Sequence, residues 1–328
     1  MAASQYQTNN EVDAMVAGGG VLYGGGMFTA VRAPRATAST ARTYLAAFST
    51  STGAVTGFRV TLDGRVRALA LSADNTTLYV GGDFTRVNGV ARSRIAAVST
   101  ANGALRTAFA VGANSRVTAL LRTSSTLYAA GDFTSIGGRN KVRLAALNAT
   151  TGAVATGFTA DLDGRPHTLA VDVSLRRLLV GGVFTSVNGA PHAAIASLDT
   201  TSGAAQPWAA DGAGECVYGV RSIAVDEATD HAYVTTEADV PGCFEGSTRR
   251  TSPAGTSPGS TSAPAPAVRS SCSRVGSTSP PTPTTAVGWR AASPAAGSAR
   301  TSSGSGSTRS TPRPAGSGTG SRTRTRAA

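Results

Sequence analysis

Short apolar segments separated by turn residues fill the first 246 positions, and none keeps a helical period over about eleven residues or more. In a representative stretch the segments are Val66–Ser72, Thr77–Thr85, Arg94–Ser99 and Ala104–Ala108. Between them stand Asp74-Asn75, Asn88-Gly89 and Asn102-Gly103, residues that tolerate positive φ and so form tight turns. The pattern predicts strands, not helices.

The segments recur. Leu78-Tyr-Val-Gly-Gly-Asp-Phe-Thr85 returns as Leu127-Tyr-Ala-Ala-Gly-Asp-Phe-Thr134 and Leu178-Leu-Val-Gly-Gly-Val-Phe-Thr185, with an earlier copy at Leu22-Tyr-Gly-Gly-Gly-Met-Phe-Thr29. A second phrase keeps step with it: Leu45 to Phe48, Ile95 to Val98, Leu144 to Leu147 and Ile195 to Leu198. Gly-Ala pairs begin at Gly53, Gly103, Gly152 and Gly203, and each leads to an aromatic: Phe58, Phe109, Phe158 or Trp208. Extra residues around Pro34 to Thr43 lengthen the first unit and read as a loop insertion. Four short strands in about fifty residues match one blade of a β-propeller, and a single such sheet must stack on a neighbour to exclude water.

The expected fold is therefore all-β: a β-propeller of about four and a half four-stranded blades, incomplete, with a disordered C-terminal tail. The blades are expected at 12–62, 63–112, 113–161 and 162–212, with a partial one at 213–246. In the fifth unit Val220 to Val225 and Ala232 to Thr236 match two strands, and the pattern then ends at Gly246. A ring with an unpaired edge invites aggregation, so further blades or a partner are expected to close it.

Single residues are read structurally. Phe28, Phe84, Phe133 and Phe184 recur at one repeat position and are expected to pack between blades. Paired glycines such as Gly81-Gly82 inside a strand mark a bulge or a close backbone approach. The Ala-Ala pairs are expected where sheets crowd together near the inner edge.

Charge changes the picture only at the end of the chain. The net charge is +12. Residues 247–328 hold eleven of the thirty basic side chains and no acidic one, so the repeat region is nearly neutral. That tail consists almost wholly of Ala, Arg, Gly, Pro, Ser and Thr, and cannot bury enough apolar surface to offset its conformational entropy. Its Arg residues are dispersed and lack interleaved aromatics, so nucleic acid is not an expected partner. These residue types are also those coded by GC-rich triplets, and the break at Gly246 falls inside a blade. A shifted reading frame accounts for both.

Chemistry is sparse. His167, His192 and His231 lie in different repeats and form no metal-ligand spacing. Asp161 and Asp163, near Gly164, read as an Asp-Gly turn in preference to a calcium loop, as does Asp63-Gly64. Lys141 is the sole lysine. Of the three cysteines, Cys216 and Cys243 are the pair available for a disulfide within the repeats, or else remain thiols; Cys272 lies in the tail. No apolar run is long enough for a membrane-spanning helix. The N-terminus shows no signal-peptide layout. No catalytic residue, metal site or cofactor is expected.

Tyr79-Val-Gly-Gly-Asp-Phe-Thr-Arg-Val-Asn-Gly89, Arg94-Ile-Ala-Ala-Val98 and Asn102-Gly103 together resemble the delta-60 β-propeller repeat of secreted bacterial proteins. The resemblance covers about residues 12 to 246. It implies a non-catalytic extracellular or cell-surface module that binds an unknown protein or glycan. It brings no catalytic residues to carry over. Asp83 and Asp132 give way to Met27 and Val183, so that carboxylate is not a constant of the array. A weaker resemblance, at Leu144 to Gly152 and Ile195 to Gly203 with Trp208, is to quinoprotein dehydrogenase repeats. It implies a quinone-dependent oxidoreductase as the alternative. Anionic-polymer binding through the Arg-rich tail is a further one.

The frame-shift reading has a direct check. Translating the gene in its other two frames past the Gly246 codon should restore a Gly-Gly-x-Phe-Thr phrase within about one blade length. If neither frame does so, the tail is not an out-of-frame product.

Overall fold

In a computed structural model, residues 6–173, 176–207, 219–226, 231–237 and 247–251 are described. All lie within one compact unit, residues 1–275. Among them every regular element is a β-strand. Five successive antiparallel sheets of three strands, each in simple up-and-down order, form the blades, with smaller sheets of two or three short strands beside them. The first blade holds Val12–Gly18, Val21–Gly26 and Leu45–Ser49, and the second Val66–Leu71, Thr77–Gly82 and Ile95–Ser99. The third holds Val117–Arg122, Thr126–Gly131 and Leu144–Asn148, and the fourth Arg165–Asp172, Arg177–Val183 and Ile195–Asp199. The fifth holds Gly219–Asp226, His231–Glu237 and Ser247–Thr251. The fold is a β-propeller arrangement, blade stacked on blade.

The third strand of the fifth blade differs from the sequence expectation. Ser247–Thr251 pairs antiparallel with His231–Glu237, so the sheet continues five residues past Gly246. Composition alone hides this, because backbone pairing needs no apolar side chain at the sheet edge. Cys216, Cys243, Trp208 and the tail from residue 252 lie outside the described residues.

The expected fourth strand is reduced to one bridge in each of the first four blades: Val55 to Phe48, Leu105 to Val98, Val154 to Leu147 and Ala205 to Leu198. The segment cannot stay on its own sheet, because it must cross to the next blade. There it bridges again, Leu62 to Val87, Ala113 to Ile136 and Leu162 to Val187. Its landing site is a two-residue hairpin, such as Arg86–Val87 with Val90–Ala91. Asn88 and Gly89 at its tip both have positive φ, which the twist of a tight hairpin demands. The insertion expected near Pro34 to Thr43 loops between Ala30–Arg32 and Ser39–Ala41.

Blades meet chiefly through their first strands, each of which packs against the first and second strands of the blade before it. Among the described residues no comparable packing joins the fifth blade to the first. The Ala-Ala pairs lie on the third strand, on the far side of the sheet from this contact, which corrects the expectation that they line the crowded edge. That work falls to the paired glycines. A Cβ on Gly81 would lie 2.8 Å from Val117 Cγ1 of the next blade, and the same clash arises between Gly25 and Val66 and between Gly181 and Val220. The following glycine serves a different need. A Cβ on Gly82 would lie 2.1 Å from the Arg65 carbonyl oxygen, where the first strand bulges between Val66 and Ala68. One glycine thus admits the neighbour's valine, and the other admits its own blade's bulge.

Each junction closes over an apolar core drawn from both blades. Tyr23 and Phe58 meet Val66, Leu78 and Phe84 at the first junction. Tyr79 and Phe109 meet Val117, Leu127 and Phe133 at the second. Tyr128 and Phe158 meet Leu178, Val180 and Phe184 at the third. Leu179 and Ile195 meet Val220 and Val234 at the fourth. Each tyrosine meets the connecting phenylalanine edge-on or tilted, with ring centroids 5.3, 5.6 and 5.7 Å apart. The Tyr79 and Tyr128 hydroxyls donate across to the carbonyls of Ala149 and Thr200, at 2.8 and 2.6 Å. Phe28 belongs instead to a small cluster with Val31 and Ala46 of its own blade. The first blade's outward face leaves Met15 69 % exposed, where the matching Leu69 is 9 % exposed.

The valine–glycine contact predicts a coupled pair. Gly81→Ala should cost about 1–3 kcal/mol through overpacking. Combining it with Val117→Ala should cost less than the sum of the two single changes, by about 0.5 kcal/mol or more. Urea denaturation of the four proteins measures this, and strict additivity would mean that the two sites do not touch.

Candidate functional site: a charged rim

The starts of the first strands and the residue after each glycine pair share one rim of the array. Here the repeat loses its sameness. The residue before the seated valine or proline is Glu11, Arg65, Arg116 and Arg165 in successive blades. The residue after it is Asp13, Arg67, Thr118, His167 and Arg221. The residue after the glycine pair, or after the matching Ala130-Gly131, is Met27, Asp83, Asp132 and Val183. Packing positions a few residues away keep their character in every copy, so this rim is where the blades differ chemically.

The rim charges are joined across blades. Arg65 reaches back to the first blade, donating from Nε to Asp13 at 2.5 Å and from Nη2 to Glu11 at 2.8 Å. These two carboxylates push its guanidinium pKa above the ordinary value, chiefly through the Asp13 hydrogen bond. Arg67 stays in its own blade, with Nη2 2.8 Å from Asp83. Asp132 lies between two guanidinium groups: Arg116 Nε at 3.0 Å in its own blade and Arg165 Nε at 2.8 Å from the next. Asp132 is only 19 % exposed, while Arg116 and Arg165 are 41 and 52 % exposed. The sheltered carboxylate holds two cations that still present donors to solvent. Such an arrangement suits recognition of acceptor-rich groups by geometry.

Beside this rim each of the first four blades carries an Asx–Thr clamp, which the sequence reading missed. Asp63 accepts from the Thr85 and Arg86 N–H groups at 2.7 and 2.9 Å, and from the Thr85 hydroxyl at 2.5 Å. Asp163 holds Thr185 and Ser186 in the same way. Asn114 and Asn9 hold the phrases beginning at Thr134 and Thr29. The threonine of each Gly-x-Phe-Thr phrase is therefore a tether. Partners sit 20 or 22 residues apart, a regularity present in the sequence but invisible to a local window. The Thr185 hydroxyl and the Ser186 N–H hold the Asp163 carboxyl well below the ordinary carboxylate range. Asp161 accepts from the Val142 N–H at 3.1 Å. The oxygens considered for calcium thus already carry protein donors, and no cluster of three metal-ligating side chains occurs among the described residues.

His167 sits on the first strand of the fourth blade at the rim, and His231 begins the second strand of the fifth. His192 lines a recess of about 530 Å³ with Asp163, Phe184 and Thr185. Lys141 is buried and donates to the Phe158 carbonyl.

No protein-family model matches the chain, and no curated protein matches it. Solved structures similar to it include the WD40 β-propeller domain of Doa1, at 12 % identity and TM-score 0.44, covering 72 % of this chain and 65 % of that one. The chain thus spans just under two thirds of that protein's length. The computationally designed Ika8 protein is similar at 13 % identity and TM-score 0.44, covering 73 % of this chain and 70 % of its own. The designed Ika4 protein is similar at 16 % identity and TM-score 0.37, covering 58 and 92 %.

The clamps set an acid dependence. A carboxyl whose native pKa is depressed adds stability that is complete above the unfolded value, about 3.9, and is lost as pH falls through the native one. Asp63→Asn combined with Asp163→Asn should therefore flatten the fall in melting temperature below about pH 4. Near neutral pH Asp163→Asn should cost under ~0.5 kcal/mol, because Asn9 and Asn114 already do this work. Asp163→Ala should cost about 1–2 kcal/mol, since it strands backbone donors. Melting curves between pH 2 and 7 decide the matter; an unchanged acid limb in the double variant would contradict it.

Proposed function

We propose that this chain is a non-catalytic binding module that holds a protein or glycan ligand at its charged rim, and that it works outside the cell. One observation carries the reading: the positions that differ between otherwise like blades gather on one rim and bear its ionic groups. Constant packing with variable rim chemistry is how a repeat scaffold diversifies binding while keeping its fold. The extracellular location and the delta-60 assignment rest on the resemblance of the Gly-Gly-Asp-Phe-Thr phrases. A quinone-dependent oxidoreductase is the competing reading, and an anionic-polymer binder acting through the tail is the third.

Three measurements separate them. On arrays of immobilised glycans and of extracellular proteins, the intact chain should give ligands whose signal falls at least tenfold in Arg116→Ser/Arg165→Ser, with the fold unchanged by circular dichroism. Ligands retained at full strength would contradict the rim as the site. Dye reduction after addition of a quinone cofactor should stay at background; turnover would sink the binding-only view. Removing residues 252–328, which spares the third strand of the fifth blade, should leave ligand binding intact. Loss of salt-dependent duplex DNA binding in that truncation would instead favour the tail.

A further inference from the structure

At the far end of the first strand from the rim, one position is apolar in four blades: Ala17, Leu71, Val171 and Val225, opposite Leu22, Leu78, Leu178 and Ala232 of the second strand. Leu71 and Val225 there join the cores that seat their blades on the preceding ones. In the third blade the same position, opposite Leu127, is Arg122. A guanidinium thus stands where the repeat calls for a hydrocarbon. Such an exchange is costly unless the charge is partnered.

Arg122 is half-buried and forms no ion pair among the described residues. Arg122 Nη2 donates to the Ser124 carbonyl at 2.8 Å, but its Nε is buried and meets no acceptor. Around it opens a groove of about 590 Å³ between the second and third blades, walled by Asp74, Tyr79, Arg106, Phe109, Arg122 and Ser124 among others. Arg106 points a second guanidinium into the same wall and holds the Thr76 carbonyl at 3.0 Å. The Tyr79 hydroxyl lies within reach of Arg122. Asp74 forms no direct ion pair with either arginine, but as a charged carboxylate in the same wall it offsets one of the two cations. Its oxygens are occupied by the hydroxyls of Ser72 and Thr76 and by the Thr76 N–H, which hold its pKa down to about 2. Hydroxyl side chains supply most of the remaining polar lining. Two guanidinium groups lining one open groove offer charged donors suited to a carboxylate. The groove's volume falls in the range that encloses small ligands.

We propose that this groove binds the carboxylate of an acidic saccharide: Arg122 and Arg106 take the uronate oxygens, and the Ser and Thr hydroxyls of the walls meet the sugar hydroxyls. The site stands at the opposite end of the strands from the rim, so it holds or fails independently of the rim reading.

Calorimetric titration of the intact chain with sodium D-glucuronate tests it, with D-glucose and sodium acetate at matched ionic strength beside it. The expected result is saturable binding of glucuronate, at least tenfold weaker binding of acetate, and none of glucose. Arg122→Leu installs the residue that the second blade carries at this position, and should fold with unchanged or higher melting temperature while weakening glucuronate at least tenfold. Arg106→Ala, at an exposed position, should weaken it as well and keeps the test open should the leucine variant misfold. Rim variant Arg165→Ser should leave it unchanged. Absence of glucuronate binding, equal binding of acetate, or full affinity in folded Arg122→Leu would each overturn the proposal.

Discussion

A three-stranded sheet has two apolar faces and can bury neither alone. Everything else in this protein depends on how one blade's first strand seats on the blade before it. The seat is a valine lying where a Cβ is missing: Val66 on Gly25, Val117 on Gly81 and Val220 on Gly181. Burying a valine side chain contributes about 1.5–3 kcal/mol, and the tyrosine–phenylalanine pairs add to it at three junctions. Where the fourth blade has Pro166 at the valine's repeat position, the third blade has Ala130 at the position of the first glycine. The two sides of the seat change together inside one chain.

That seat sets what is free to vary. The second glycine of each pair lets the first strand bulge at its start, and the bulge re-aims the side chains just before and after it toward the rim. Those are the positions that carry Glu11, Asp13, Arg65, Arg67, Arg116 and Arg165. The Asx–Thr clamps fix the same corner from the side, so the rim charges stand on anchored backbone. Packing that recurs and a rim that diverges are two consequences of one junction. At the opposite end of the strands Arg122 departs from the pattern within the junction itself, and it lines an open groove there.

Much of this was legible in the sequence. Three of the four strands expected in each blade, the Asn88-Gly89 turn and the insertion near Pro34 follow from local alternation and turn chemistry. The glycine pairs announced a bulge or a close approach, and each glycine turns out to serve one of the two. Sequence reasoning failed where partners are far apart in the chain. Val117 lies 36 residues beyond Gly81, and Thr85 lies 22 beyond Asp63. Reading the Ala-Ala pairs as the crowded edge ignored sheet order, which only the pairing of strands reveals. The fourth segment is apolar because it packs, but it is spent crossing to the next blade. Arg122 was visible as a break in a column of apolar residues once the copies were aligned by strand register; read along the chain it is one Arg among many.

Hydrogen exchange of the native protein, followed by mass spectrometry, tests the central account most directly. If each blade is held by its neighbours, protection should be greatest in the second strands of the blades covered on both faces, Thr77–Gly82, Thr126–Gly131 and Arg177–Val183. It should be weaker in Val12–Gly18 of the first blade, whose outward face leaves Met15 exposed. Equal protection in all blades, or a maximum in the first, would contradict the claim that the junctions hold this fold together.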